Sequence, residues 1–296
     1  MRGPAYAVAS ATLAQLTALL MGLVLLISGA IVGLVTLRYG YRRGLQVATF
    51  ATITTVTARL AWDGQWFPML LICIVTWVPA VGLCDLLRQP HEQGLASTGA
   101  AIRALTYGIG VRLFTGDVDQ FWVDRLAPLL EQFRGDSGLV FSEADIGLIA
   151  GQVHTWTLIA IFLFFAMGSL LARWWQAEIY NPNGFGEEFR KLSVPRPILY
   201  IALMIALGVV FLSSDRVGSG IVGDAFVVIV LLFAFQGLAL AHYRVHVANM
   251  SAGWLTTLYI FLVLLPQFAG PILAAVGIAY LSANFRSIKS KSNKEA

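Results

Sequence analysis

Charge is scarce in this sequence. Aspartate, glutamate, lysine and arginine together make up 12% of it. A soluble domain carries about 25%, so a water-facing surface cannot be built over the whole chain. Cysteine is almost absent. Cys73 and Cys84 stand eleven residues apart in one apolar segment. Three helical turns, roughly 16 Å, exceed the reach of a disulfide, and both residues read as small buried hydrophobes. Missing too are a phosphate loop, a His-Glu-x-x-His pair and a Gly-x-Ser-x-Gly elbow. Those absences disfavour an ATPase and the standard zinc and serine hydrolases. The expectation is a protein that is not an enzyme and uses no cofactor. Basic residues are not clustered with interleaved aromatics, which argues against nucleic acid as a partner.

What the chain does contain is apolar sequence, 58% of its 296 residues. Residues 147–172 run for 26 positions with one ionisable side chain, His154, and about 20 suffice to cross a bilayer. Comparable stretches cover residues 5–37, 44–61, 66–86, 95–115, 198–213, 221–241 and 253–284. They are continuous rather than alternating, so helices are expected and a barrel is not. The N-terminal run continues to about Leu37, far beyond the about 7–15 residues of a signal-peptide core, and reads as part of the mature protein. The fold class expected is all-α: a polytopic transmembrane bundle of about eight to ten membrane segments. No linker separates domains, so residues 1–296 read as one integral membrane domain.

The two end segments exceed 30 residues and are interrupted, the first at Gly22 and Ser28-Gly29, the last at Pro266, Gly270 and Pro271. Each is either a long tilted helix or a hairpin. If both are hairpins, fourteen basic residues lie inside and three outside; if both cross once, the count is nine against eight. The positive-inside rule favours hairpins, with both termini cytoplasmic and a basic tail over residues 285–296. A variant keeps one end as a single span. The loop over residues 116–146 holds seven acidic residues against two basic ones, which suits the outer face. Within it Trp122, Leu126, Leu129, Leu130 and Phe133 recur at helical spacing, the pattern of an amphipathic interfacial helix.

Charged groups inside a bilayer are costly and point to function. Those within apolar segments are Arg59, Asp85, Arg103, Arg112, His154 and Asp224. Arg59 can snorkel beside Trp62 and Trp66. Asp85 can pair with Arg88, and Arg112 with Asp117. Arg103 lies deepest and needs an anionic partner, either a side chain or a ligand. His154 reads as a hydrogen-bonded core histidine or a proton or ligand site. Asp224 follows three glycines and can be a boundary residue. His242 and His246 share one helix face, but no third metal ligand is evident, so no metal is expected. Gly29-x-x-x-Gly33 and Gly147-x-x-x-Gly151 permit close helix contacts within the chain.

The most distinctive local stretch runs from Arg173-Trp174-Trp175-Gln176 through Asn181-Pro182 to Phe185-Gly186-Glu187-Glu188-Phe189-Arg190. The tryptophans mark a membrane interface, Asn-Pro with the glycines makes a turn, and the paired glutamates suit the first turn of a short helix. Residues 173–197 form an expected cytoplasmic loop, and Trp174, Trp175, Phe185 and Phe189 could dock a cytoplasmic protein. With Gln236 and His242, Gly253-Trp254, Leu265-Pro266 and the Asn284-Phe285-Arg286 ending, this stretch resembles the YybS-like family of predicted bacterial membrane proteins, in its proteobacterial form. The ending departs from the family pattern, with Ser282 and Asn284 where an acidic residue often stands. The resemblance implies a bacterial inner-membrane protein, similar at fold level to the substrate-binding membrane subunits of vitamin importers, and carries no established binding residues. The leading expectation is therefore a small-molecule transporter or its binding subunit, lined by Arg103, His154, Gln236 and the break at Pro266, because broken helices build midplane sites. The alternative is a scaffold that recruits cytoplasmic partners. Beyond the lipid bilayer itself, the partners left open are a small-molecule ligand and a cytoplasmic protein.

Overall fold

The computed structural model describes residues 3–17, 23–88, 93–137, 141–182, 184–212 and 220–292, without the side chains of 17, 23, 133–137, 212 and 284–292. The interruption at Gly22 and the cations Arg2, Arg134, Arg216, Arg286, Lys289, Lys291 and Lys294 therefore lie wholly or by their side chains outside the described residues. Among these residues every regular element is a helix: α1 (Pro4–Thr17), α2 (Leu23–Tyr39), α3 (Tyr41–Asp63), α4 (Trp66–Leu86), α5 (Gln93–Thr115), α6 (Val118–Ser137), α7 (Glu143–Tyr180), α8 (Gly184–Arg190), α9 (Arg196–Leu212), α10 (Gly220–Val247), α11 (Gly253–Leu264) and α12 (Pro266–Ser292). In lipid a helix satisfies its own backbone, which is why the apolar runs take this form. Four helices are long and apolar enough to cross a membrane: α4, α7, α10 and residues 266–283 of α12. Shorter apolar helices fall in α2, α9 and α11. The chain is an all-α polytopic membrane protein.

Local sequence sets the helix ends. Gly64, at φ 74°, closes α3 in the left-handed conformation and donates its N–H to the Arg59 carbonyl, a geometry glycine adopts without strain. Ser142 and Asp145 cap α7 reciprocally: the Ser142 N–H and hydroxyl donate to Asp145 Oδ2, and the Asp145 N–H donates to Ser142 Oγ. This is a capping box with aspartate as its acidic member. The helix it starts has 38 residues, about 57 Å, so it outruns a hydrocarbon core of about 30 Å. It continues through Arg173 to Tyr180, and the expected cytoplasmic loop thus begins as helix. Nothing in that stretch breaks a helix before Asn181-Pro182.

The chain forms two compact units. The first comprises Met1–Ala100, Leu163–Arg196 and Leu232–Ala296; the second comprises Ala101–Phe162 and Pro197–Leu231. In the first unit α1 and α2 fold back on one another, the hairpin that loop charge favours. The Ser28 hydroxyl on α2 donates to the Ala11 carbonyl on α1, and the Trp77 indole on α4 donates to Ser28 Oγ. Ala11, Val32, Ala51, Cys73 and Trp77 form the centre of this core. Both cysteines are buried and unbridged. Gly33 carries the close approach that its spacing suggests: a Cβ there would stand 2.6 Å from Cys84 Sγ and 3.2 Å from the Ala172 Cβ.

At the other end of the chain the interruption falls at Leu265, between α11 and α12. α10 and α12 touch backbone to backbone, since a Cβ on Gly237 would strike the Leu273 carbonyl and one on Gly277 the Phe233 carbonyl. Rising numbers on α12 meet falling numbers on α10, so the two run antiparallel. α12 therefore starts beside the end of α10 that carries Arg244 and heads away from it, in the manner of the single-span variant. α11 contributes no buried residue and is largely apolar, as expected of a helix facing lipid.

In the second unit, α6 is the amphipathic helix expected in the acidic loop. Trp122, Leu126 and Leu130 are half-buried, while Asp119, Asp124 and Glu131 are exposed. Leu129, expected on the apolar side, is exposed as well. The Phe133 side chain lies outside the described residues.

Candidate functional site

Three helices of the second unit converge on one carboxylate. Arg112 lies three residues before the end of α5 and Asp224 five residues into α10. At 1.5 Å per residue each stands about 5 Å from its helix end. Neither has an opposite charge three or four residues away in its own helix, so each must find its partner on another one. They find each other. Arg112 Nε donates to Asp224 Oδ2 at 2.8 Å and Nη2 donates to Oδ1 at 2.9 Å, the bidentate fork that fixes both position and orientation. From α7, His154 Nε2 reaches Asp224 Oδ2 at 3.2 Å. Asp224 and His154 are each only 4% exposed.

Two neighbours shape this cluster. Gly108, one turn before Arg112, leaves room for the carboxylate: a Cβ there would lie 3.1 Å from Asp224 Oδ2 and 3.2 Å from a Leu158 methyl. The Tyr107 ring stacks on the His154 ring, with centroids 6.2 Å apart and planes 24° apart. The second imidazole nitrogen, His154 Nδ1, is buried without a partner among the described residues. Nε2 is the natural donor to the Asp224 carboxylate, which leaves Nδ1 as an acceptor that nothing among the described residues engages.

Part of this arrangement departs from the sequence expectation. Arg112 pairs with Asp224 and not with Asp117. Asp117 instead accepts from the Gln120 N–H in the first turn of α6. Asp224 is no mere boundary residue but the anion that holds the cluster together. The readable signal was an acid and a base in separate apolar segments, each without a counter-charge one turn away.

The other singled-out residues are dispersed. Arg59 pairs with Asp63 at 2.5 Å within α3, and Arg88, in the turn just after α4, pairs with Asp85 at 3.4 Å. Arg103 is half-buried in the second unit, one turn before Tyr107. Gln236 sits in the first unit, 1% exposed, and is fully committed: its Oε1 accepts the Val194 N–H at 2.7 Å and its Nε2 donates to the Gly277 carbonyl at 2.8 Å. It ties the loop before α9 to the α10–α12 crossing. Pro266 is exposed at the start of α12. His154 and Arg103 thus belong to one unit, Gln236 and Pro266 to the other.

The Arg173–Arg190 stretch closes on its own chain. The Arg173 guanidinium grips Glu188 through Nε at 2.8 Å and Nη2 at 2.7 Å and also donates to Gln176. Gln93 adds a longer bond to the same glutamate at 3.4 Å. Phe189 is 8% exposed, stacked on Phe185 and set edge-on to His242. His242 in turn shares a hydrogen bond with the Tyr259 hydroxyl at 2.8 Å, a role in packing rather than beside His246. Trp175 packs into the first unit's core, and Trp174 alone of the four proposed docking residues is exposed. The exposed Phe185–Phe189 patch that a docking surface requires is not formed, because these rings cover their own helix junction.

Helices of this length and apolarity, with ionised groups buried between them, define a polytopic α-helical membrane protein. Residues 143–279 match a family model described as "Predicted membrane protein (DUF2232)", the family of unknown function that the Arg173–Arg190 signature points to. The match takes in the second half of that site, His154 and Asp224, and excludes Arg112. Neither the curated proteins nor the solved structures provide a match.

Proposed function

We propose that this protein is a small-solute transporter, or the membrane-embedded binding subunit of one, in a bacterial inner membrane, and that Arg112, Asp224 and His154 form its proton-responsive site. The observation that carries this reading is a bidentate ion pair whose carboxylate is buried between helices, with a histidine on the same carboxylate whose Nδ1 has no partner among the described residues. Ionisable groups enclosed between membrane helices are costly to keep, and pairs of this kind mark solute and proton pathways. Nδ1 offers an incoming ligand or proton one acceptor beside the fixed ion pair. The basic end of the first unit, with Arg38, Arg42, Arg43, Arg88, Arg173 and Lys191, supports a cytoplasmic assignment for that end and for the start of α1.

The test is a thermal-shift screen of small organic anions and cations on the detergent-purified protein at pH 5.5 and 7.5. A ligand of this site stabilises the wild type by several degrees, more at one pH than the other. His154→Gln removes that pH difference while leaving the ligand-free melting temperature within a few degrees. A shift that survives both His154→Gln and Arg112→Gln would place the ligand elsewhere, and absence of any stabilising ligand would sink the reading.

A further inference from the structure

The basic end of the first unit contains a cleft unrelated to the buried ion pair. It lies between the start of α1, the end of α2, the first turns of α3 and the end of α7, with a volume of about 450 Å³. Its walls are of two kinds. Val8, Leu34, Val35 and Phe50 make an apolar channel, and Arg38 and Arg43 stand among its lining residues. The Arg38 guanidinium lies over the Tyr180 ring, 4.3 Å from its centre, which orders the cation without neutralising it. Arg43 donates only to the Gln46 amide, at 3.1 Å. Among the described residues neither arginine pairs with a carboxylate.

That combination selects its occupant. Two uncompensated guanidiniums suit a phosphate diester, which they can grip bidentately. A soluble phosphate would use the cations and leave the apolar wall wet. An apolar peptide would use the wall and strand the cations. A molecule with an anionic head and a hydrocarbon tail satisfies both, and the surrounding leaflet supplies one. We propose that this cleft is a specific site for an anionic phospholipid, with its phosphate between Arg38 and Arg43 and an acyl chain along Val8, Leu34 and Phe50. The site would couple the α1–α2 hairpin and the end of α7 to lipid composition, and it stands independently of any transport role.

Native mass spectrometry of the full-length protein in a neutral detergent tests this, with phosphatidylglycerol and phosphatidylcholine added in turn. One phosphatidylglycerol is expected to be retained in preference to phosphatidylcholine. Each arginine near an anionic headgroup contributes about fivefold in affinity, so Arg38→Gln with Arg43→Gln should lower retention by about 25-fold. Arg42→Gln, on the same interface but outside the cleft, should leave it unchanged. Val8→Trp, which fills the channel and keeps both cations, should also abolish retention, so the site is testable even if the double variant folds poorly. Equal loss on Arg42→Gln would reveal diffuse surface attraction and overturn the proposal. So would undiminished retention in Val8→Trp, or full displacement by millimolar inorganic phosphate, which would identify a soluble anion as the occupant.

Discussion

At the scale of single residues, the energetics of the Asp224 cluster are asymmetric. A buried pair returns little over an apolar substitute, yet removing one partner strands the other. Arg112→Leu leaves Asp224 charged and enclosed, and should cost about 3 kcal/mol, the lower end for a buried pair, because the guanidinium retains 21% exposure. Asp224→Leu should cost a similar amount. The double variant Arg112→Leu/Asp224→Leu removes both charges and should be closer to wild type than either single change. Thermal unfolding of the four proteins in detergent measures this cycle; simple addition of the two single losses would mean that the residues do not stabilise one another. The sequence shows that Arg112 and Asp224 are costly where they stand, since neither has a counter-charge three or four residues away in its own helix. It does not show that they meet, because 112 positions separate them and pairing between helices follows from tertiary packing. Gly108 was not legible for the same reason. Its value lies in the carboxylate it admits, not in the helix it occupies.

At the scale of elements, glycine has opposite meanings in two helices of this chain. Gly237 of α10 lies against the backbone of α12, where any side chain would collide with the Leu273 carbonyl. Carbonyl oxygens cannot rotate away as side chains can, so Gly237→Ala must pry the helices apart and break the Gln236 bridge to Gly277. A loss of about 2–4 kcal/mol is expected, in the range of core changes that force backbone movement. Gly147 of α7 meets nothing within 4 Å. There an alanine gains helix propensity, and Gly147→Ala should stabilise by about 0.5–1 kcal/mol. Melting temperatures that fall for both variants would contradict this contrast. Loss of the cap at Ser142 is a third element-level effect. Ser142→Ala should cost about 1 kcal/mol and speed hydrogen exchange in the first turn of α7 without disturbing its far end. Helices as such were plain in the hydropathy, and the break before α12 was visible at Pro266, whereas Ser28-Gly29, which read as an interruption, lies inside the unbroken α2. The lengths were less plain. Arg173 to Tyr180 contains charges and aromatics that read as loop, yet those side chains suit a helix that has left the hydrocarbon and entered the interface.

At the scale of the whole molecule, two physical rules disagree about the last helix. Loop charge draws the tail, with Lys289, Lys291 and Lys294, toward the cytoplasm. Packing directs α12 the other way, because the Gly237–Leu273 and Gly277–Phe233 contacts make it antiparallel to α10. α12 has 27 residues, about 40 Å, enough to traverse a bilayer from the end it shares with Arg244. Backbone-to-backbone contact in the folded protein cannot be rearranged without losing the Gln236 bridge, whereas a charge at a terminus only biases insertion. Packing should therefore prevail. Cysteine scanning reads this directly, since Cys73 and Cys84 are buried and should not compete for reagent. Asn249→Cys, in the turn after α10, should react with a membrane-impermeant maleimide only in inverted vesicles, and a cysteine appended after Ala296 only in intact cells or spheroplasts. Labelling of both positions from the same side would show that α12 returns to the face it left. The crossing at Gly237 would then be wrong, and the hairpin form of the last segment would replace it.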